Sequence, residues 1–230
     1  MSSPATIKSR DLVIIGDSAF AEVACEYFTH DSDYNVVGFA VERGYLKTER
    51  LLGRPVVALD ELTTRFPPAD HDVYVAIVYS QLNWLRHRLM RAAEELGYGL
   101  ASYVSSRAFV WPNVKIGKHC FIFENNVVQP FVTLGDNVVL WSGNHIGHHS
   151  HIADNVFVSS HVVISGFCEI EANCFFGVNV AVGNNITVAR DCWIGPGVVI
   201  NQGTKEAELY RAPAAEPSKV SALRFFRVKD

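Results

Sequence analysis

Four histidines fall within the twelve residues Trp141–Ile152 (WSGNHIGHHSHI): His145, His148, His149 and His151, with His161 close behind. Imidazole ionises near neutrality, so a positioned histidine can take the proton of an amine or hydroxyl as it attacks a carbonyl carbon. Histidines also bind zinc when three rings converge from different faces or subunits, which neighbours such as His148 and His149 seldom do. A third use is structural, because polar side chains at the corners of a stacked fold hydrogen-bond along the stack. His119, His145, His149, His151 and His161 each fit that third use as well. A second constellation is Gly16-Asp17-Ser18-Ala19, placed between an apolar run and a helical pattern. A helix start following a strand is where backbone N–H groups meet a phosphate or diphosphate. The turn lacks GxGxxG, so a dinucleotide cofactor is not expected. Glu42, just after the second apolar run, either contacts a ribose or base or is a solvated charge.

The elements that must position these residues follow from two different periodicities. From Val104 every sixth residue to Ile200 is apolar, seventeen positions without a break, among them Val110, Ile116, Ile122, Val158 and Ile194. Two residues before each lies a small or β-branched residue, and Cys120, Cys168, Cys174 and Cys192 occupy this second slot as small core hydrophobes. Asn126 and Asn144 stand eighteen apart in the same slot and read as an internal amide pair. Gly117, Gly135, Gly147, Gly177, Gly183 and Gly195 follow the apolar slot, which suits a corner that turns tightly or takes a positive φ. A three-sided coil of eighteen residues per turn satisfies this pattern, each hexapeptide being one short strand and one corner. At about 4.8 Å per coil the prism is ~25 Å tall, and it buries its core by stacking neighbours.

The first hundred residues read differently. Asp11–Gly16, Asn35–Val41 and Asp72–Val78 are strands, Ala19–Thr29 and Gln81–Gly97 are helices, and Pro55–Leu59 leads into a short helical stretch. Leu82, Leu85, Leu89 and Ala93 share one face of the second helix. Alternating strands and helices imply a small parallel α/β unit. The expected division is therefore residues 1–100, an α/β domain; 101–204, a parallel β-helix; and 205–230, a tail whose Leu223, Phe225 and Phe226 suit a short packing helix.

Residues 101–215 resemble the left-handed parallel β-helix of the hexapeptide-repeat transferases, and the preceding α/β domain narrows the resemblance to the sugar O- and N-acyltransferases. That family includes the bacillosamine-pathway and perosamine N-acetyltransferases and the sialic-acid O-acetyltransferases. The resemblance implies a homotrimer whose first domain holds a nucleotide-linked amino sugar and whose β-helix holds acetyl-CoA in the groove between subunits. It implies His148, in Ile146-Gly147-His148, as the general base of acetyl transfer, with no metal. It implies Gly16, Asp17, Ser18, Glu42, Asn144, His149 and His161 on the sugar-nucleotide side. Gly166, Gly177 and Gly195 would face the pantetheine arm, and Arg190, Lys205, Arg211 or Lys219 the CoA phosphates. The expected activity is N-acetylation of a UDP-, dTDP- or GDP-linked sugar for a surface glycan such as lipopolysaccharide, with O-acetylation as an alternative. A second alternative is a zinc-dependent lyase like the γ-class carbonic anhydrases, which share the β-helix. Two departures from the family stand out: the turn GDSAFA is poor in glycine, and His149 occupies the position where a carboxylate usually orients the base. Asp154, Asn144 or a backbone carbonyl are then the candidates for that task.

Composition sets the remaining bounds. The chain has 230 residues, 49% hydrophobic and 19% charged, with a net charge of −4. It is a folded chain without a basic nucleic-acid surface. It has no ~18-residue apolar span for a membrane and no export signal at its start. Five cysteines without a CxxC pair fit reduced thiols and a cytoplasmic location.

Overall fold

The computed structural model describes residues 8–228; residues 1–7, where the sequence is read as free of an export signal, and residues 229–230 of the tail lie outside the described residues. Among the described residues the α/β domain has six strands: β1 (Arg10–Ile15), β2 (Tyr34–Val41), β3 (Arg50–Leu51), β4 (Arg54–Ala58), β5 (His71–Val75) and β6 (Gly99–Leu100). Their order is β3-β4-β2-β1-β5-β6, parallel except for the β3/β4 pair. The LVII run of β1 is buried throughout, as a central strand covered on both faces requires. Leu12 and Ile14 pack toward α1 (Ala19–His30), while Val13 and Ile15 pack toward α2 (Leu62–Arg65) and α3 (Trp84–Glu95).

Most boundaries lie within two residues of the sequence reading, and two differ by three. The third long strand stops at Val75 rather than Val78, and the second long helix starts at Trp84 rather than Gln81. Gln81, Leu82 and Asn83 have φ of 53°, 49° and 69°. That left-handed run cannot belong to a right-handed helix. Leu82 therefore lies outside α3, and Arg86 joins Leu89 and Ala93 among its buried residues.

From Tyr103 to Ile200 the chain forms seventeen two-residue strands, each ending on the sixth-residue apolar slot. They stack in parallel with partners eighteen apart, such as Ile122↔Leu140 and Ile146↔Ile164, giving three faces. The second residue of each strand points inward and the first outward. The inward row and the cysteine slot form one continuous buried core. Leu209–Tyr210 adds a further rung to the first face, so the β-helix runs past residue 204 into the segment read as tail. The helix that follows, α4 (Ala222–Phe225), leaves Leu223, Phe225 and Phe226 exposed and so does not pack on its own chain.

The corners work differently from the expectation. The glycines after the apolar slot do not take positive φ; that conformation falls two residues later, at His119, Asn125, Asn137, His149, Asn155, His161 and their equivalents. Asn, Asp and His tolerate it best among residues with a Cβ. What glycine supplies at Gly147 and Gly177 is space: a Cβ would lie 2.5 Å from Gly166 N and 2.6 Å from Pro196 N of the next coil.

The first face carries outward aromatics: Tyr103 and Phe121 pack under α1 against Phe28, with Phe20 also on Phe121, while Phe157 and Phe175 meet Tyr79 of the same domain. The third-to-first corner meets α3. There the fully buried Arg86 guanidinium donates to Asn137 Oδ1 (2.9 Å), Ile77 O, Val78 O and Asn83 Oδ1, with no carboxylate among these partners. Burial holds its pKa down at about 10. The α/β domain thus caps one face and one corner, leaving the second and third faces for other work.

Candidate functional site

His148 stands at the corner between the second and third faces, just after strand His145–Ile146. Its backbone N–H donates to Gln129 Oε1 of the coil before (2.9 Å). Both His148 and His149 are exposed. Their Nδ1 atoms lie 3.1 Å apart, so one ring donates a hydrogen bond to the other. His149 has φ of 58°, which turns its ring back along the corner. It lies between Phe131 (centroids 4.5 Å, 27°) and Phe167 (4.9 Å, 16°). Phe167 also meets the edge of His148 at 5.0 Å. These stacked rings occupy one corner position in three successive coils. Gly166 lies beside the His148 ring: a Cβ there would come within 3.0 Å of Cε1 and 3.1 Å of Nε2. The missing side chain leaves Nε2 uncovered.

The group that holds the His148 ring is therefore His149, not the candidates proposed from sequence. Asp154 sits at the third-to-first corner and accepts from Asp136 N (2.7 Å). Asn144 is 1% exposed, its amide donating to Trp141 O (2.6 Å) and accepting from Val162 N (2.8 Å). Its side chain stitches two coils together inside the prism and does not face a ligand. The Asn126–Asn144 amide pair does not form either; Asn126 donates to the carbonyls of Phe123, Leu140 and Trp141.

His161 is separated from His148 in one chain. Thirteen residues are not a full coil of eighteen, so His161 falls on the first-to-second corner, its ring against Gly143, where a Cβ would lie 2.7 Å from Nδ1. Gly177 and Gly195 are on that same corner, and Gly166 on the other. Arg190 sits on the third-to-first corner and pairs with Asp191 (2.9 Å). Among the described residues, no three His, Cys, Asp or Glu side chains gather as metal ligands.

The second constellation assembles at the C-terminal ends of β1, β2 and β5, where open parallel sheets bind ligands. A cavity of about 220 Å³ there is lined by Gly16, Asp17 and Glu42, with Ile77, Leu85 and Tyr45 among its walls. Gly16 has φ of 127°, and a Cβ would lie 2.9 Å from Ala76 O, so only glycine fits. Ser18 is the exposed N-cap of α1, outside this lining, and its hydroxyl makes no capping bond. The Glu42 carboxylate is engaged by both terminal nitrogens of Arg88 at 3.0 Å. Arg88 was absent from the sequence reading, though its position three after Leu85 places it on the same helix face. Phe131 and Phe167 were absent too, and their spacing of eighteen on either side of His149 marks them in retrospect.

Residues 113–148 and 131–166 match the family described as bacterial transferase hexapeptide (six repeats), and residues 169–202 match the hexapeptide repeat of succinyl-transferase. No curated protein matches the sequence. Among solved structures, the acetyltransferase domain of PglB from Neisseria gonorrhoeae FA1090 is 22% identical with a TM-score of 0.75, covering 87% of this chain and 96% of that one. A further structure of that domain contains acetyl coenzyme A. A histidine variant of the perosamine N-acetyltransferase from Caulobacter crescentus, in complex with CoA and GDP-perosamine, is 22% identical with a TM-score of 0.77 over 86% of this chain and 92% of that one. WeeI from Acinetobacter baumannii AYE is 18% identical, with a TM-score of 0.56 over 85% and 96%. The shared architecture is an α/β domain followed by a left-handed parallel β-helix, the fold expected from the sequence.

Proposed function

We propose that this protein transfers the acetyl group of acetyl-CoA to the amino group of a nucleotide-linked sugar, with His148 as general base. The observation that carries the reading is the His148 imidazole itself. It is exposed at a β-helix corner, held through Nδ1 by a neighbour, and left open at Nε2 by Gly166. In the reaction the neutral amine attacks the thioester carbonyl, forming the C–N bond. His148 Nε2 takes the amine proton, the C–S bond breaks, and the CoA sulfur leaves as a thiolate that is then protonated. The folds that carry CoA and GDP-perosamine, or acetyl coenzyme A, in the neighbouring structures support this choice of substrates.

A homotrimer would complete the site. The second face exposes Phe109, Val163 and Val199 and is bounded by the corners of His148 and His161. A three-fold axis facing this side sets one corner of each subunit against the opposite corner of the next, a heterologous contact that closes into a ring. Such a ring brings the partner subunit's copy of the His161 corner, with Gly177 and Gly195, toward His148 and Gly166. The pocket of Gly16, Asp17 and Glu42 is the proposed nucleotide end, with Tyr45 and Arg88 as added contacts. The product would enter a surface glycan.

Calorimetry with acetyl-CoA, followed by transfer assays on UDP-, dTDP- and GDP-linked amino sugars, tests this reading. Micromolar binding of acetyl-CoA and acetyl transfer to one of these amines are expected. Absence of acetyl-CoA binding would overturn it, and transfer to a hydroxyl instead of an amine would make it an O-acetyltransferase.

A further inference from the structure

The His148–His149 contact has a direction that chemistry can assign, and this inference rests on His148 being the base. Each neutral imidazole carries one proton on one of two nitrogens. An Nδ1–Nδ1 hydrogen bond therefore admits two arrangements. In one, His149 donates, His148 carries its proton on Nε2, and the nitrogen over Gly166 cannot accept. In the other, His148 donates from Nδ1, its Nε2 lone pair is free, and His149 carries its own proton on Nε2. Only the second provides a base.

We infer that His149 is a positioning and relay residue: it accepts the Nδ1 proton of His148, fixes Nε2 of His148 as the basic nitrogen, and passes a proton outward through its own Nε2. When His148 Nε2 takes the amine proton, the Nδ1 proton can cross the 3.1 Å contact to His149 Nδ1 as the Nε2 proton of His149 leaves to water. Both rings end neutral, with one N–H bond formed and one broken on each. The reverse transfer restores the starting arrangement: His148 Nε2 protonates the departing CoA thiolate, His148 Nδ1 regains its proton from His149 Nδ1, and His149 Nε2 regains one from water. Over the full turnover the amine proton is balanced by the thiol proton. A carboxylate at this position could orient the base and stabilise its cation, but it has no second protonated nitrogen to release. The surroundings suit a neutral partner. The Gln129 side chain that accepts from His148 N and the rings of Phe131 and Phe167 stacked on the pair are none of them titratable. The two aromatic rings hold His149 as a plate between them, so its Nδ1 points at His148 without a charged anchor.

His149→Asn is the informative variant. Asn adopts the left-handed corner conformation readily, and it already does so two coils further on at Asn185, φ 59°. The fold is therefore retained, but the side chain is too short to hold His148 and cannot relay. Nitrogen-15 NMR of the imidazoles reads the tautomer without any substrate. The wild-type protein is expected to carry the His148 proton on Nδ1, and His149→Asn to move it largely to Nε2, the preference of a free imidazole. Wild-type His148 protonated on Nε2 would overturn the inference, whether or not acetyl transfer is found. In the transfer assay, His149→Asn is expected to lose roughly tenfold to a hundredfold in kcat. KM for acetyl-CoA should stay within about twofold, and added imidazole should restore part of the rate. Unchanged kcat, or a loss confined to KM, would contradict the role.

Discussion

At the scale of single residues, the proposed site depends as much on an absent side chain as on the imidazole. Gly166 has an ordinary backbone conformation, so its necessity is not conformational. It lies in the clearance it gives to Cε1 and Nε2 of His148. Gly166→Ala would place a methyl group against the one nitrogen that must meet the amine. The expected outcome is a fall in kcat of at least about tenfold, since a misplaced base loses most of its contribution. The thermal midpoint should change by only a few degrees, because the ring at the exposed corner can yield. Steady-state kinetics together with a melting curve check both halves, and an unchanged kcat would mean that Nε2 faces elsewhere.

At the scale of elements, the α/β domain is joined to the β-helix by a polar seam. His119 Nε2 accepts from Val75 N (2.8 Å), so its Nδ1 carries the proton and donates to Asn137 Oδ1 (2.9 Å). From there Asn137, Asn155 and Asn173 donate down the corner in turn, each to the next, and the Asp191 carboxylate accepts the last bond. Arg86 closes the upper end and adds a contact with the Phe157 ring at 5.7 Å. Arg86→Lys is expected to destabilise the protein by about 3 kcal/mol in denaturant unfolding, because an ammonium cannot reach this fork of carbonyls and leaves several buried acceptors unpaired. Full stability in that variant would show the seam to be dispensable. Burial lowers the His119 pKa from 6.5 to about 3. The unfolded chain thus binds a proton that the folded one refuses between those values, and stability falls as pH drops through that window. The thermal midpoint of the wild type should decline from pH 6.5 toward pH 4 more steeply than that of His119→Gln.

The period of six was legible from Val104 to Ile200, because each large aliphatic residue must point into the same core. The α/β order was legible in runs such as LVII. The seam was not, since a buried arginine on a helix reads as a solvated one until the facing carbonyls are known. The positive-φ corner was misplaced onto glycine because close approach and left-handed backbone both select that residue. The setting of His149 was likewise hidden: its flanking rings, Phe131 and Phe167, come from coils eighteen residues away.

At the scale of the whole molecule, the proposed homotrimer makes one chain half a site. The first face is occupied by the α/β domain, and the two corners carrying His148 and His161 flank the open second face. Mixed assemblies of His148→Asn and His161→Asn chains test this. With equal random mixing, about a quarter of sites between neighbouring subunits hold both native histidines if each site draws on two chains. Activity above that of either parent is expected. If both histidines served one site within a single chain, no mixed assembly would recover any.

The central claim is that His148 removes the proton of the acceptor amine, and His148→Asn with acetyl-CoA and an accepted amino sugar tests it most directly. Retained acetyl-CoA binding in calorimetry and a loss of at least about a hundredfold in kcat, the usual contribution of a general base, are expected. A rate close to wild type in that variant would contradict it and remove His148 from the mechanism.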